Sequence, residues 1–295
     1  SRRLLDGAIA DERAGEPAKM VLSMAGPEVA AQLLDRALKT SPSDPNWGRM
    51  MDLLYGLQSE GAEVLEKWLA SHETGAQLDA FLRIVERVPM SATLAAAFEA
   101  RWAFIPVPAK KKIFELAAKW ECRAFRQLAL MSLIEAPMDI ARQALKALPR
   151  IHVEGDSLKV IEAVENRLYG HKDEKELFTL IVCKTLGEME EPLSLTSLME
   201  WTQSYSLLER RREKSFTIRM AAVEALGHFR SRQVEVFLER MVQREERDIK
   251  QVAMESLKQV REKLASTTTA QTAAENDPFF GESDLNVPFR SPSPP

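Results

Sequence analysis

Two stretches in the last third of the chain carry nearly the same apolar pattern, and this repetition constrains the fold more than any other feature. In FTIRMAAVEALGHF, residues 216–229, apolar side chains fall at offsets 0, 3, 4, 7, 8 and 11 from Ile218. This spacing is one stripe of a helix with about 3.6 residues per turn. DIKQVAMESLKQV, residues 248–260, repeats most of it, and the aligned residues Leu226 and Leu257 lie 31 residues apart. A period of this length is typical of stacked helical units.

Weaker copies of the pattern occur earlier in the chain, at residues 49–57, 80–88, 140–148 and 178–186. The first two copies are 31 residues apart. The copy at 178–186 begins 38 residues after the copy at 140–148, and the copy at 218–226 begins 40 residues later still. Small residues stand at equivalent places, namely Ala144, Ala222 and Ala253. Paired helices in a stack approach closely only where side chains are small, so the sequence predicts stacked helix pairs.

Several predicted helix starts carry suitable chemistry. Asp44 followed by Pro45 supplies an N-cap carboxylate and a first-turn proline, which suit the free amide groups and the φ angle of a helix start. Gly26 and Pro27 precede EVAAQLLDRAL in a similar way, and Asp248 stands at the expected N-cap of the last copy. Short connections follow, which favour antiparallel neighbouring helices.

The residues of the two best copies resemble HEAT repeats. IRMAAVEALG, with Arg219 and Gly227, and DIKQVAMESL, with Asp248 and Lys250, are similar to a consensus of aspartate, a β-branched residue, arginine, small residues and then Ala-Leu-Gly. The resemblance is closest over residues 216–264. It implies an armadillo-type fold with no catalytic motif of its own.

The resemblance weakens toward the start of the chain. It is partial over 137–190, and over 1–136 it rests on helix length and period, so tetratricopeptide-like or irregular helical pairs stay open there. Phe216 replaces the consensus aspartate and Lys250 the arginine, so a complete ladder of inter-repeat ion pairs is not expected. The resemblance implies an all-α, right-handed superhelix, a HEAT-like α-solenoid of about seven or eight helix pairs over residues 1–264.

No catalytic or metal-binding motif is evident in the sequence. The histidines lie far apart and none has the spacing of a zinc-ligand pair: they are His72, His152, His171 and His228. HKDEKE, which begins at His171, is typical of a solvated charged loop between helices. The 12 glycines are scattered singly, unlike a loop that cradles phosphates. We therefore predict no enzyme, no cofactor and no metal site.

The cysteines indicate a reducing compartment. Cys122 and Cys183 are not part of a CxxC pair, and each sits beside apolar helix positions. We expect two buried thiols, which is typical of the cytoplasm. No run of about eighteen apolar residues occurs, so no membrane span is predicted. Because the chain starts at Ser1 within an amphipathic stretch, we expect a fragment or a processed product.

Two basic clusters interrupt a composition with a formal net charge of -4. One is KKK at residues 110–112, and the other consists of the candidate partner-binding residues Arg210, Arg211 and Arg212. At helix junctions these cations could line a strip for an acidic partner or for phosphates. They could also be solvated helix ends, where cations complement the helix dipole. Both interpretations stay open.

A second class of function follows from the resemblance. Some HEAT-like solenoids are DNA glycosylases that excise alkylated bases, so a nucleic-acid-acting solenoid, or another repeat-fold enzyme, is the alternative. The negative net charge disfavours nucleic acid as a partner, because phosphate binding needs a strongly positive surface. Trp102, in ARWAFIPVP, is the tryptophan expected outside the helical stripes.

The helical periodicity stops after Leu264. Residues 265–295 are rich in Thr, Ala, Pro and Ser, which predicts a disordered C-terminal tail. Phe279, Phe280 and Phe289 stand there in polar surroundings. They are candidate partner-binding residues, either in short linear motifs or in a segment that caps the last repeat, whereas an inert linker is the alternative.

The predicted function is a non-enzymatic protein-binding scaffold or adaptor with a curved helical-repeat surface and a protein partner. Arg219, Glu224 and His228 lie between the apolar stripes, where exposed side chains are expected to provide the binding chemistry.

Overall fold

Helices occur at each of the predicted apolar stripes. A computed structural model describes residues 5, 8, 9, 27–71, 77–88, 91–203, 214–245 and 247–275. Across these residues it contains fourteen α-helices, three short 3-10 segments and no strand. The predicted all-α class is confirmed.

The helices are α1 (Pro27–Lys39), α2 (Pro45–Gly56), α3 (Gln58–Ser71), α4 (Gln77–Val85), α5 (Ala92–Ala100), α6 (Val107–Lys119), α7 (Arg126–Glu135), α8 (Met138–Ile151), α9 (Asp156–Asn166), α10 (Lys172–Met189), α11 (Leu195–Trp201), α12 (Phe216–Leu226), α13 (Arg232–Arg244) and α14 (Arg247–Glu275). The 3-10 segments are Trp102–Phe104, Arg123–Phe125 and Pro192–Ser194. The chain divides into two compact units, Ser1–Ser197 and Leu198–Pro295.

Helices of the first unit contact both their neighbours in the chain and the helices two positions away. The contacts between helices two positions apart join α1 to α3, α3 to α5, α4 to α6, α6 to α8, α7 to α9 and α8 to α10. Helix pairs that stack on one another produce such contacts. The centre of this network is α8, whose buried face consists of Ile140, Ala141, Ala144, Leu145, Ala147, Leu148 and Ile151.

Side chains near the end of one helix cap the carbonyl groups at the end of the helix two positions earlier. The donors and acceptors are Arg101 Nη1 to the Leu69 carbonyl at 2.7 Å, Trp120 Nε1 to the Val85 carbonyl at 3.1 Å, and Arg167 Nη1 to the Leu133 carbonyl at 2.7 Å. The last carbonyl groups of a helix have no partner within the helix. A guanidinium there also complements the negative end of the helix dipole, so these bonds join helices that lie two positions apart in the chain.

In the second unit, α14 packs against both α12 and α13. The predicted stripe of α12 is buried, and Leu226 has no exposed surface. Arg219 differs from the prediction, because only 8 % of it is exposed. Its Nε donates to the Thr202 carbonyl at 3.0 Å and its Nη2 to Glu245 at 2.8 Å. Five donors on a long side chain let an arginine lie inside a helical array when acceptors surround it.

The other two predicted exposed positions differ from each other. Glu224 is exposed, whereas His228 is half-buried. The backbone carbonyl of His228 also accepts a hydrogen bond from Lys263. Lys263 comes from α14 and donates to that carbonyl just after the end of α12. Glu224 is therefore the one fully exposed side chain of the three.

Helix starts agree with the sequence at two of three places. Asp44 accepts a hydrogen bond from the Asn46 amide at 2.8 Å, and Pro45 is the first residue of α2. Pro27 begins α1. Asp248 is not the N-cap of α14, because that helix starts one residue earlier, at Arg247. Asp248 lies instead in the first turn, where a carboxylate still complements the helix dipole.

Two segments predicted to be non-helical, one as a charged loop and one as the start of the disordered tail, are helical. The run after His171 forms the first turns of α10, which begins at Lys172. Acidic residues in a first turn are favourable there. The last helix continues past Leu264 to Glu275, because extending a helix that has already formed costs much less than starting one, even without an apolar stripe.

Helix α6 ends in a residue with a left-handed backbone that is not glycine. Glu121 has φ of 48°. Its amide donates to the Ala118 carbonyl at 3.2 Å, and the next amide, that of Cys122, donates to the Ala117 carbonyl at 2.9 Å. This is the hydrogen-bond pattern of a Schellman cap, which usually has glycine at the left-handed position. Because Glu121 has a Cβ atom, its backbone is strained in this left-handed conformation.

Candidate binding surface

The residues singled out from the sequence divide between described and undescribed parts of the chain. The six candidate partner-binding residues all lie outside the described residues; they are Arg210, Arg211, Arg212, Phe279, Phe280 and Phe289. The other basic cluster, at 110–112, is described. It lies in the first half of α6 rather than at a helix junction, so its cations do not sit at the C-terminal end of their own helix.

Lys110 belongs to a packed aromatic contact. Its Nζ lies 5.3 Å from the centre of the Trp102 ring, and Trp102 packs edge-on against Phe114 with ring centres 5.2 Å apart. Burial lowers the pKa of Lys110 below its ordinary value. Trp102 is half-buried in a 3-10 segment outside the helical stripes. A cation over an aromatic ring stabilises such a contact, so Lys110 serves packing.

The other two lysines of the cluster are paired with acids on α8, on α6 itself and just after the end of α4. Lys111 Nζ lies 2.6 Å from Asp139 Oδ2, and this hydrogen bond lowers the pKa of Asp139. Lys112 lies 3.5 Å from Glu86 and 3.7 Å from Glu115. The positive charge of the cluster is thus largely balanced within the chain, and the cluster joins α4, α6 and α8 electrostatically.

An open groove of about 350 Å³ lies between α8 and α10. Its lining residues are Arg142, Lys146, Leu180, Ile181, Lys184, Thr185 and Glu188. We refer to these seven residues as the α8–α10 groove.

The groove follows from the amphipathic patterns of its two helices. The buried face of α8 is apolar, so Arg142 and Lys146, four residues apart, lie together on the opposite, exposed face. On α10, Leu180 and Ile181 fall beside the buried stripe and remain half-buried as the floor of the groove. Leu177, one turn before Ile181 on the same face, is 42 % exposed. The floor therefore continues as an apolar strip along α10.

The charges of the groove are unbalanced. Lys184 lies 3.9 Å from Glu188. Within the described part of the chain, neither Arg142 nor Lys146 has an ion-pair partner within 4.0 Å. Three cations and one carboxylate line the groove, which leaves an excess of positive charge in a protein whose formal net charge is -4. Local positive potential above an apolar floor attracts acidic ligands.

A buried hydrogen bond at the base of the groove joins its two walls. Pro149 lies inside α8 and has no amide hydrogen, so it leaves the carbonyl of Leu145, four residues earlier, without its helical donor. The hydroxyl of Thr185, on α10, donates to this carbonyl at 3.3 Å. A buried carbonyl without a partner would destabilise the fold, so Thr185 both compensates the proline and ties α10 to α8.

Further buried polar groups hold the loops at the ends of these helices. Asp156 has no exposed surface, and Arg126 Nε donates to its carboxylate at 2.5 Å. Burial raises the pKa of Asp156, but the hydrogen bonds from Arg126 and from the Val153 amide outweigh this effect and leave the pKa below its ordinary value.

The buried carboxylate of Glu191 accepts from the amides of Gly155 and Ser157 at the start of α9. Gly155 has φ of 93°, which favours glycine. A carboxylate at a helix start satisfies amides that have no partner within the helix. These contacts are structural, since each joins two elements of the fold.

Two other cavities lie in the first unit. A cavity of about 450 Å³ separates α1 from α3, and one of about 220 Å³ lies beside Trp102 and Lys110. Cys122 and Cys183 are free and buried, as predicted. Among the described residues, no three His, Cys, Asp or Glu side chains come together as a metal site. None of the described helices is long and apolar enough to cross a membrane.

The chain matches no protein-family model and no curated protein. The likeness of residues 216–264 to HEAT repeats therefore rests on their residue pattern alone.

Sequence reasoning missed the α8–α10 groove. Two signals were present: cations four residues apart on the polar face of IARQALKAL and its continuation, and two apolar residues, Leu180 and Ile181, beside the main stripe of FTLIVCKTL. Neither signal indicates a site by itself, because the contact between α8 and α10 is needed to bring them together.

Proposed function

We propose that the chain is a non-enzymatic protein-binding scaffold whose helix pairs stack as a HEAT-like α-solenoid. The observation that carries this proposal is the α8–α10 groove, where an apolar floor meets three cations and only one carboxylate. Helical arrays commonly bind other proteins through grooves between adjacent helices. The two buried, free thiols are consistent with a reducing compartment, so the cytoplasm stays our proposed location.

The frame of the groove supports a role in binding. Arg167 bonds the end of α7, Thr185 bonds α8, and Glu191 bonds the start of α9. Each bond is formed by a buried side chain that joins two elements. A backbone held in this way loses little conformational entropy when a partner binds, and this favours affinity.

The charges of α6 disfavour a nucleic-acid-acting solenoid. Salt-dependent binding of nucleic acid requires cations that are available to phosphates. In the described residues Lys111 and Lys112 are instead paired with acids, and Lys110 lies over Trp102. These three lysines therefore do not form a basic face that could follow a phosphate backbone.

The proposed function is tested by affinity capture with the full chain from an extract of the source organism, followed by titration of each recovered protein against the purified chain. We expect at least one protein that binds with a defined stoichiometry and a Kd on the order of 1 μM or below. Labelled duplex DNA and single-stranded RNA are titrated in parallel at two salt concentrations. Nucleic-acid binding that weakens steeply with salt, without any protein partner, would refute the proposal.

A further inference from the structure

We propose that the α8–α10 groove docks an acidic peptide segment of a partner protein. The segment places one aliphatic or aromatic side chain on Leu180 and Ile181, while its carboxylates face the three cations of the groove. This inference rests on the proposed function and specifies the partner's chemistry.

The floor of the groove selects an apolar anchor. Leu180 and Ile181 are half-buried, and Leu177 on the preceding turn is 42 % exposed. Contact with an apolar side chain removes this surface from water, which is the dominant favourable term in association. A volume of about 350 Å³ is at the small end of ligand pockets, which hold roughly 300 to 1,000 Å³. The groove therefore suits one or a few side chains rather than a whole helix.

The rim of the groove selects acidic residues around that anchor. Arg142 and Lys146 stand on one wall and Lys184 on the other. Neither Arg142 nor Lys146 has an ion-pair partner within 4.0 Å among the described residues. Together with Lys111, Arg142 helps to lower the pKa of Asp139, so Lys146 carries the charge that is more available to a ligand. Arginine binds carboxylates in a bidentate manner, whereas lysine acts as a point charge. A peptide with acidic residues on both sides of its anchor meets both walls.

The length of the groove matches a short segment. Along α10 it extends from Leu180 to Glu188, which is about 12 Å at 1.5 Å per residue. An extended peptide covers this distance with about four residues at roughly 3.3 Å each. Glu188 is the one carboxylate of the lining and can accept backbone amides of the peptide. A nucleic acid, in contrast, would place phosphates next to the Glu188 carboxylate, and the two negative charges would repel each other.

The probe is a fluorescein-labelled peptide that carries one leucine among aspartate and glutamate residues, titrated into the full chain and followed by anisotropy. We expect binding that weakens as salt is raised, because exposed charges are screened. Lys146→Glu and Lys184→Glu should each weaken it by about tenfold, since each replaces an attraction with a repulsion. The matched control is Lys258→Glu, the same charge change at an exposed residue of α14. It should change the affinity by less than about twofold.

Two further arms test the geometry. Replacing the leucine of the probe with serine should weaken binding to the wild-type chain. A charge-reversed peptide, with lysines in place of the acids, should bind the double variant Lys146→Glu with Lys184→Glu and not the wild-type chain. Thermal melting of each variant confirms that it is folded, which is expected because the exchanged side chains are exposed.

The inference is overturned if the acidic probe does not bind, or if it binds the double variant as tightly as the wild-type chain. The fate of the proposed function is read separately. A captured protein that binds the double variant and the wild-type chain equally would leave the scaffold function intact and refute the groove as its site. If neither protein nor peptide binds, both proposals fail.

Discussion

The hydrogen bond from Thr185 to the Leu145 carbonyl predicts that two substitutions interact. Thr185 is 3 % exposed and Leu145 has no exposed surface. Thr185→Val keeps the shape of the side chain but leaves the carbonyl without a donor. An unsatisfied buried group costs about 1 to 3 kcal/mol. The observed donor–acceptor distance of 3.3 Å is longer than the roughly 2.7 Å that is typical of hydroxyl donors. We therefore expect a loss near the lower limit, about 1 kcal/mol.

The same substitution should have little effect once the proline is removed. In Pro149→Ala, the new amide hydrogen restores the helical bond to the Leu145 carbonyl, four residues earlier. Thr185 is then no longer required as a donor. The free energy of unfolding should fall by less than about 0.3 kcal/mol when Thr185→Val is added to Pro149→Ala, which gives a coupling energy of about 1 kcal/mol between the two sites.

The assay is urea unfolding followed by tryptophan fluorescence in a Trp201→Phe background. The four tryptophans that remain all lie in the first unit, so the signal reports the unit that contains both substituted residues. The slope of the free energy with urea should be the same for all four proteins. The reasoning is refuted if Thr185→Val destabilises the chain equally with Pro149 and with Pro149→Ala. That result would mean that the Leu145 carbonyl does not lack a donor because of the proline.

Three further substitutions have definite expected outcomes. Leu226→Ala should lower the free energy of unfolding by about 2 to 5 kcal/mol in urea melts, because it opens a cavity at a fully buried site; a loss below about 0.5 kcal/mol would contradict the burial. Glu121→Gly should raise the stability of the first unit by about 1 kcal/mol by relieving the left-handed backbone at φ of 48°, whereas Glu121→Ala, which keeps the strain, should not. Asp156→Asn replaces the buried carboxylate that Arg126 binds with a neutral amide and should cost about 1 to 3 kcal/mol at neutral pH, because Arg126 itself is partly exposed. Since the folded pKa of Asp156 is depressed, its contribution is present above the unfolded pKa of about 3.9 and is lost as pH falls through the folded value. The difference between melts of Asp156→Asn and of the wild-type chain should therefore begin to shrink below about pH 4 and vanish once the pH is below the folded pKa. A difference that stays constant throughout this range would contradict the depressed pKa.

Local rules account for the parts of the fold that were predictable from the sequence. The period of the apolar residues predicted the helices. Small residues such as Ala144 and Ala222 predicted which face of each helix is buried. Asp44 and Pro45 predicted the start of α2. Each of these features depends on residues within a turn or two of one another, so the chain itself carries the information.

Long-range contacts account for what the sequence did not reveal. Arg219 looked like a surface residue because its position lies between apolar stripes, but acceptors from Thr202 and Glu245 allow it to be buried. The lysines at 110–112 looked like a free basic cluster until acids from neighbouring helices were found beside them. A sequence shows which side chains can be polar or charged, but not which partners face them.

The same distinction applies to the α8–α10 groove. Amphipathic spacing is enough to make α8 and α10 helices and to place Lys146 and Ile181 off their buried faces, since a helix repeats its faces every 3.6 residues or so. Whether those two side chains meet depends on how the helices pack, and that packing is set by residues far apart in the chain, including Thr185 and Leu145. Short-range periodicity therefore determines the secondary structure, whereas a binding surface forms only when the tertiary fold brings the faces of separate helices together.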